Sequence, residues 1–266
     1  MSSKTNQSIG TIKSVFADAA DDGIVSEANK DLMCVSLDDN ILAGCDGLNI
    51  DDIEATEVVL VSLLIDDSGS MDSRIADTLA GQHAMLDSLS GSKQKDSFLF
   101  GMWTLNRSQP YHSYVKLENV LKLSENDYQP NGGTPLCDRW FEMLTANVAY
   151  AQQLRSSGIA VRSIAVVITD GDENESRRFH EAECAALAKD LLKSEQFILG
   201  FVGVGDEAYF RGEALKMGFP DGGILTAKDG PSAMRKVFNV VSQSVIRASQ
   251  AKIDPAAAQN NFFNVN

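Results

Sequence analysis

Apolar runs of strand length alternate with amphipathic stretches along most of this chain, from residue 57 to residue 250. Short runs rich in β-branched residues predict buried strands, and apolar residues that recur every three or four positions predict helices packed on one side. The run 58–65 is nearly continuous in apolar residues, which is typical of a central strand covered on both faces. Strands and helices that alternate in this way predict βαβ units with a parallel sheet.

The predicted elements follow the order β-α-β-β-α-β-α-β-α-β-α. The predicted strands cover residues 58–65, 98–104, 114–121, 163–169, 197–205 and 224–226, of which 114–121 is a short edge strand. The predicted helices cover residues 74–89, 135–156, 179–193, 207–217 and 232–248. This order predicts an α/β fold: a doubly wound, mostly parallel, Rossmann-like sheet with helices on both faces. Such sheets bind ligands beyond the carboxyl ends of their strands, so candidate chemistry is expected there.

The N-terminal part of the chain differs in charge from the rest. Residues 1–56 hold eleven acidic residues against three lysines, which is −8 of the total net charge of −14. Helical patterns are visible at 9–20 and 25–37. We predict that residues 1–56 form a small acidic helical appendage, separate from a main domain at 57–250.

The C-terminal residues 251–266 lack any periodicity and predict a flexible tail. Phe262 and Phe263 stand side by side in this polar stretch. Because two adjacent aromatic side chains are costly to expose, we expect them to dock on the body of the protein or on a partner.

Composition and charge exclude several classes of function. With 44% apolar and 23% charged residues, the chain has the composition of an ordinary globular protein. A net charge of −14 argues against binding to nucleic acid or to anionic lipid. No apolar run approaches the roughly 20 residues that span a bilayer, and the polar N-terminus has no signal-peptide core, so we expect a cytoplasmic protein without membrane contact. The cysteines form no C-x-x-C pair and are predicted to be free thiols: Cys34, Cys45, Cys137 and Cys184.

Three loops next to predicted strand ends or helix starts carry oxygen-bearing side chains. The first strand runs into Asp66, Ser68 and Ser70. A glycine-rich loop before a helix carries Thr134, and a later strand ends just before Asp170. Each loop alone is more often an ordinary turn or helix cap. Together they offer two carboxylates and three hydroxyls without nitrogen or sulfur, which predicts a hard divalent cation, Mg²⁺ first and Mn²⁺ or Ca²⁺ as alternatives.

With this set of loops, residues 57–250 resemble a von Willebrand factor A (VWA) domain. The family's metal-ion-dependent adhesion site (MIDAS) consists of D-x-S-x-S, a threonine beside glycine and an aspartate at a strand end, and the sequence matches each position: Asp66, Ser68, Ser70, Thr134 and Asp170. The resemblance implies a doubly wound sheet and a metal with an open coordination position, which a carboxylate of a partner protein fills. Near this site we expect Asp67 to brace its loop and Asp172 to be a solvated charge.

The resemblance therefore implies a non-enzymatic, Mg²⁺-dependent protein-interaction module that captures an Asp or Glu of a partner protein. Intracellular relatives are often bacterial and often act beside AAA+ ATPases of the MoxR or magnesium-chelatase type, or in stress and defence systems. We accordingly expect a subunit of a multicomponent cytosolic bacterial system, with an AAA+ ATPase as one candidate partner.

Two alternative functions stay open from the sequence. The first is a Mg²⁺-dependent phosphohydrolase that uses the same site, although the G-x-S-x-G and Asp-x-Asp patterns of serine hydrolases and aspartyl phosphatases are absent around Ser68. The second is a structural assembly subunit whose metal site is not essential. Residues 18–29 are also similar to a calcium-binding EF-hand loop, but Ala20 and Asn29 replace ligands, which predicts poor calcium affinity.

Overall fold

The computed structural model describes residues 2–230, 232–250 and 255–264. The sheet in these residues has six strands in the order β3-β2-β1-β4-β5-β6. The strands are β1 (Glu57–Ile65), β2 (Phe98–Thr104), β3 (His112–Lys116), β4 (Ala160–Thr169), β5 (Phe197–Val204) and β6 (Ile224–Ala227). Neighbouring strands pair in parallel except β2 and β3, which are antiparallel. The predicted α/β fold class, a doubly wound and mostly parallel sheet, is confirmed.

Strand β1 lies at the centre of the sheet between β2 and β4. Its side chains alternate between two apolar cores: Leu60 and Leu64 face one, and Val61 and Leu63 face the other. Every residue of β1 after Glu57 is buried. Burial on both faces explains why this strand is a continuous apolar run rather than an alternating one.

Helices cover both faces of the sheet. They are α1 (Ser2–Asp21), α2 (Glu27–Ser36), α3 (Asp39–Gly44), α4 (Ile75–Ser90), α5 (Leu136–Ser156), α6 (Glu181–Lys193), α7 (Glu207–Lys216), α8 (Ala233–Gln250) and α9 (Pro255–Asn260). Helices α5 and α6 pack on one face together with the N-terminal helices, and α4 and α8 pack on the other. Each face therefore has its own hydrophobic core.

Several predicted boundaries differ from the structure by one or more residues, and two of these differences have a local structural reason. The helix predicted from residue 74 begins at Ile75, because the preceding residues Gly69–Arg74 form a 3₁₀ helix. The edge strand predicted at 114–121 is β3, which is shorter and begins earlier, and the chain turns away in a 3₁₀ turn at Leu117–Asn119. The pairing of β3 with β2 ends at Lys116, so no partner remains to extend the strand.

The N-terminal helices pack mainly on α5 and share the hydrophobic core on that side of the sheet. Ile12 and Phe16 of α1 are buried in the same hydrophobic cluster as β1 and α5. Asn29 of α2 donates a hydrogen bond of 2.6 Å to Asp190 of α6. The last position of the EF-hand-like segment is thus used in a tertiary contact. The division of the chain at residue 56 stays a prediction.

The C-terminal aromatic pair is docked on the sheet. Phe262 and Phe263 are 1% and 7% exposed and belong to the core on the α4 and α8 side. A Cβ built on Gly200 of β5 would lie 2.8 Å from the Phe262 ring and 3.0 Å from the Phe263 ring, so glycine is what lets both rings approach the strand. The parts of the predicted flexible tail at 251–254 and 265–266 lie outside the described residues.

Two further expectations concern membranes and cysteines. Within the described ranges, no helix is long and apolar enough to cross a membrane. All the cysteines are free thiols, as predicted, and they are buried except for the half-buried Cys34.

Candidate metal centre

The predicted site residues meet at the carboxyl edge of the sheet. Asp66 follows β1 and Asp170 follows β4, and these two strands are paired in parallel up to Ile65 and Ile168. The backbone N–H of Asp66 extends this pairing by donating to the Ile168 carbonyl at 2.9 Å. Because neighbouring parallel strands end at the same edge, the two aspartates are brought side by side although they lie 104 positions apart in the sequence.

Hydroxyl groups connect the two aspartates. The Ser70 hydroxyl donates to Asp170 Oδ1 at 2.5 Å and lies 3.0 Å from the Ser68 hydroxyl. The backbone N–H of Ser68 donates to Asp66 Oδ1 at 2.7 Å, and the Thr169 hydroxyl donates to Asp66 Oδ2 at 2.5 Å. The Asp66 carboxylate is therefore held in one orientation by its own loop and by β4.

Thr134 joins these side chains from the loop before α5. We call the set of Asp66, Ser68, Ser70, Thr134 and Asp170 the oxygen cluster. A Cβ built on Gly171 would lie 2.7 Å from Thr134 Oγ1 and 3.5 Å from both Asp66 Oδ2 and Ser68 Oγ. Oxygen atoms of the loop after β1 and of the loop before α5 thus border one small space beside Gly171, which any side chain at position 171 would fill. Asp66, Ser68 and Thr134 are buried, whereas Ser70 is exposed. The space can therefore be approached from outside past Ser70.

The chemistry of these side chains fits a small hard cation. Two carboxylates and three hydroxyls are the oxygen donors that Mg²⁺ and similar ions prefer. Among the residues that the structure describes, no group of three or more His, Cys, Asp or Glu side chains is placed to hold a metal ion. The candidate site hence depends on its hydroxyl groups as much as on its carboxylates.

Asp67 braces the neighbouring loops, as predicted. Its Oδ1 accepts hydrogen bonds from the backbone N–H of Asn106 at 2.8 Å and from Asn106 Nδ2 at 3.2 Å. Asn106 Nδ2 also donates to the Gly133 carbonyl at 2.9 Å, next to Thr134. Burial raises the pKa of Asp67, and the hydrogen bonds from Asn106 oppose this rise. Asn106 was not predicted as a site residue, because nothing in the sequence around it indicates a contact with residues 67 and 133.

A second brace comes from the loop after β4. The side chain of Asn174 accepts a hydrogen bond of 2.8 Å from the backbone N–H of Thr134, and its own backbone N–H donates to the Thr134 carbonyl at 3.2 Å. Glu173 accepts a 2.7 Å hydrogen bond from the backbone N–H of Cys137 in the first turn of α5. Asp172 is exposed, as predicted. The loop after β4 therefore fixes both Asp170 and Thr134.

The positively charged side chain of Arg74 lies against the oxygen cluster. Arg74 Nε lies 2.8 Å from Asp170 Oδ2, and Arg74 Nη2 lies 3.2 Å from Asp229 Oδ1 on the loop before α8. Burial raises the pKa of Asp170, while the Ser70 hydroxyl and the Arg74 guanidinium act in the opposite direction. Arg74 was not predicted, although its position four residues after Ser70 places it in the same 3₁₀ helix.

The histidines that a hydrolase would need as a base are engaged elsewhere. His83 Nε2 lies 2.8 Å from the carbonyl of Leu123, and His112 Nδ1 lies 3.1 Å from the carbonyl of Ser113. The backbone N–H of His180 donates to Glu183 at the start of α6. No contact in the described residues joins these rings to the oxygen cluster.

The fold of this chain is similar to that of several proteins of known structure. No protein-family model and no curated protein matches the sequence. The pilus adhesin SpaC from Lactobacillus rhamnosus GG is similar in structure, with a TM-score of 0.53 at 14% identity over 72% of this chain. This chain covers 30% of SpaC. At this identity the similarity concerns the fold alone.

Two further solved structures are similar at lower TM-scores. The VWA domain of SpRpn10 has a TM-score of 0.47 at 14% identity, over 68% of this chain and 94% of that domain. The manganese-loaded TRAP protein of Plasmodium vivax has a TM-score of 0.40 at 22% identity, over 65% of this chain and 70% of that chain.

Proposed function

We propose that this chain is a VWA-type protein-interaction module that uses a divalent cation to capture a carboxylate of a partner protein and that it is not an enzyme. The observation that supports this most is the convergence of oxygen atoms around Gly171. Thr134 Oγ1, Asp66 Oδ2 and Ser68 Oγ face one space there, and the exposed Ser70 leads to it. Converging hydroxyls with few carboxylates leave a bound cation strongly attractive to a further anion.

In this proposal each residue of the cluster has its own task. Asp66 and Asp170 hold the cation electrostatically, and Ser68, Ser70 and Thr134 add neutral oxygens, directly or through water. The cation itself supplies a positively charged position for the incoming carboxylate. Thr169 and the Ser68 N–H orient Asp66, because they occupy both of its oxygens with hydrogen bonds. We propose Mg²⁺ as the ion, with Mn²⁺ and Ca²⁺ as alternatives of the same oxygen-preferring kind.

The partner is proposed to be a protein that presents Asp or Glu. The net charge of −14 disfavours nucleic acid and anionic lipid as partners. A cytoplasmic multicomponent bacterial system, with a MoxR-type AAA+ ATPase as one candidate partner or with a role in stress or defence, is the biological setting implied by the VWA resemblance. This setting is part of the proposal and rests on the resemblance alone.

Affinity purification of the tagged full chain tests the proposal. The chain is purified from its native cell in Mg²⁺ or in EDTA, beside the variants Asp66→Ala and Asp172→Ala, and the co-eluting proteins are identified by mass spectrometry. Asp172→Ala is the matched control, since it removes the same charge from an exposed position near the cluster. We expect a partner that is lost in EDTA and with Asp66→Ala and kept with Asp172→Ala. A partner that persists under all conditions would overturn metal-mediated capture and favour the structural assembly subunit.

The hydrolase alternative has a separate test. The purified chain is incubated with Mg²⁺ and a chromogenic phosphomonoester, and phosphate release is measured with and without Asp66→Ala. We expect no release above the rate without protein. Release that requires the metal and disappears with Asp66→Ala would replace the binding module by a phosphohydrolase.

A further inference from the structure

Arg74 brings a fixed positive charge to one of the proposed metal ligands. Its Nε lies 2.8 Å from Asp170 Oδ2, while the other oxygen of Asp170 accepts the Ser70 hydroxyl. The side chain of Asp170 is 2% exposed and that of Arg74 is 20% exposed. A guanidinium stays charged at every physiological pH, so the positive charge beside the Asp170 carboxylate does not depend on pH.

This pairing divides the two oxygens of Asp170 between two tasks. Oδ1 lies with the hydroxyl of Ser70 and faces the oxygen cluster, whereas Oδ2 is directed to Arg74. Only one oxygen of Asp170 is thus free of a cationic partner. Compared with an unpaired carboxylate, Asp170 offers a cation less negative charge and fewer ligand atoms.

The contribution of Arg74 follows from these contacts. With a divalent cation bound, the charges of the cation, Asp66 and Asp170 would sum to zero, and Arg74 would add one positive charge to the charge of its surroundings, which also include the buried carboxylate of Asp67. Asp229 offsets this charge only in part, because its side chain is 61% exposed and is screened by water. Arg74 therefore makes the empty cluster less negative, which weakens its attraction for a cation, and makes the cation-loaded cluster more positive, which strengthens its attraction for an anion.

We infer that Arg74 is a positioning residue that lowers the affinity of the cluster for its cation and raises the affinity of the cation-loaded cluster for a carboxylate. This inference rests on the proposed function and adds to it the residue that favours an anionic partner. A charge within a few ångströms changes the affinity of a carboxylate for a proton by about ten- to a thousandfold. Because Arg74 is partly exposed, we expect the lower end of this range for a cation, about tenfold.

The native chain offers a matched control in the same region. Arg235 of α8 forms an ion pair with Asp77 of α4, with Nε and Oδ1 3.0 Å apart, and its side chain is 54% exposed. Arg235→Gln removes the same charge from a nearby contact between α8 and α4 without touching the proposed ligands. Arg74→Lys retains the charge, whereas Arg74→Gln removes it.

The experiment measures two affinities of the full chain. Mn²⁺ binding is titrated by the electron paramagnetic resonance signal of the free ion, and acetate binding to the Mn²⁺-saturated chain is titrated by calorimetry. For Arg74→Gln we expect Mn²⁺ to bind about tenfold more tightly and acetate to bind about threefold more weakly, as removal of one nearby charge predicts. Arg74→Lys is expected to stay close to the native values, and Arg235→Gln to match them. Opposite shifts of the two affinities are not expected from a merely structural defect.

Each contrary result has a distinct meaning. If Arg74→Gln binds Mn²⁺ as tightly as the native chain or more weakly, the role of Arg74 is overturned while the metal site stands. The same holds if Arg235→Gln shifts both affinities as Arg74→Gln does. If neither the native chain nor Arg74→Gln binds Mn²⁺, the proposed metal site itself is overturned and the role of Arg74 with it.

Discussion

The two faces of the sheet are built in different ways. On one face, 16 of the 21 residues of α5 are buried, because the N-terminal helices form a further layer outside it. On the other face, only 6 of the 16 residues of α4 are buried, and its outer side faces solvent. Gly81 allows α4 to approach α8 closely, since a Cβ there would lie 2.4 Å from the Phe238 ring. One face thus has two layers of helix and the other has one.

This difference shows what the N-terminal segment contributes. Thr134 stands just before α5, and the loop of Asp66, Ser68 and Ser70 leads toward α4, so the oxygen cluster is assembled from both faces. A helix that is buried on nearly all sides holds its first turn more firmly than one that is half exposed. We therefore expect the acidic N-terminal helices to support the position of Thr134 through α5.

The largest change in the free energy of unfolding is expected from a substitution in the two layers of helix on the α5 side. Phe16 of α1 is fully buried in the core on the α5 side. Phe16→Ala is expected to lower the free energy of unfolding by about 3–5 kcal/mol, the usual cost of truncating a buried phenylalanine. Urea denaturation measures this change, and Val15→Ala, at a half-buried position of the same helix, serves as control. A loss below about 1 kcal/mol would mean that α1 does not belong to the cooperative core.

The next prediction concerns the oxygen cluster, to which loops from both faces of the sheet contribute. A cation that binds only the folded chain should stabilise it by about 2.7 kcal/mol at a concentration 100 times its dissociation constant. Gly171→Ala is expected to remove most of this gain, because its Cβ would lie 2.7 Å from Thr134 Oγ1. Thermal unfolding with Mg²⁺ and with EDTA measures the gain.

Gly212→Ala on α7 is the matched control for this glycine, since a Cβ there meets nothing within 4 Å. It is expected to keep the full metal-dependent gain. A gain that survives Gly171→Ala unchanged would place the cation elsewhere on the chain.

A smaller effect is expected for the aromatic pair on the α4 and α8 face. Phe262 is as buried as Phe16, but it belongs to a terminal segment that can undock without unfolding the sheet. Phe262→Ala is therefore expected to cost about 1–3 kcal/mol, less than the roughly 3–5 kcal/mol of a truncation in the central core. Denaturation of this variant is compared with that of Asn264→Ala, which changes an exposed position. A cost equal to that of Phe16→Ala would show that the two faces are equally cooperative.

The smallest effect is a pH dependence at the edge strand β3. Burial lowers the pKa of His112 below its ordinary value. His112 therefore takes up a proton at a higher pH in the unfolded chain than in the folded chain. The stability that neutral His112 contributes at pH 7 is lost as the pH falls below about 6.5. Denaturation between pH 7 and pH 5 should show a shallower decline for His112→Gln than for the native chain. Equal declines would assign the pH dependence to other groups.

Much of the fold was predictable because it depends on local periodicity. The predicted strand 98–104 coincides with β2, and the helix predicted to end at residue 156 is α5. The edge strand was misplaced, since the extent of β3 is set by its pairing with β2 and not by its own apolar pattern. Pairing partners lie at a distance along the chain and leave no local signal.

The residues of the candidate site also fall into those that could be predicted from the sequence and those that could not. Asp66 and Asp170 could be placed together from the sequence, because parallel strands of one sheet end at a common edge. Arg74 and Asn106 could not be assigned, because their contacts depend on how separate loops lie against one another. Asn174, which holds Thr134 from 40 residues away, is a further case.

The sequence by itself determined the α/β class, the order of the strands and helices between residues 57 and 250, and the set of oxygen-bearing residues at the carboxyl edge. These follow from side-chain periodicity and from the geometry that every parallel sheet shares. Only the tertiary structure decided that the N-terminal helices form a second layer over α5, that Phe262 and Phe263 dock on β5, and that Arg74 is paired with Asp170. Such contacts join segments far apart in the chain, and their energies depend on shapes and distances that exist only once the chain has folded.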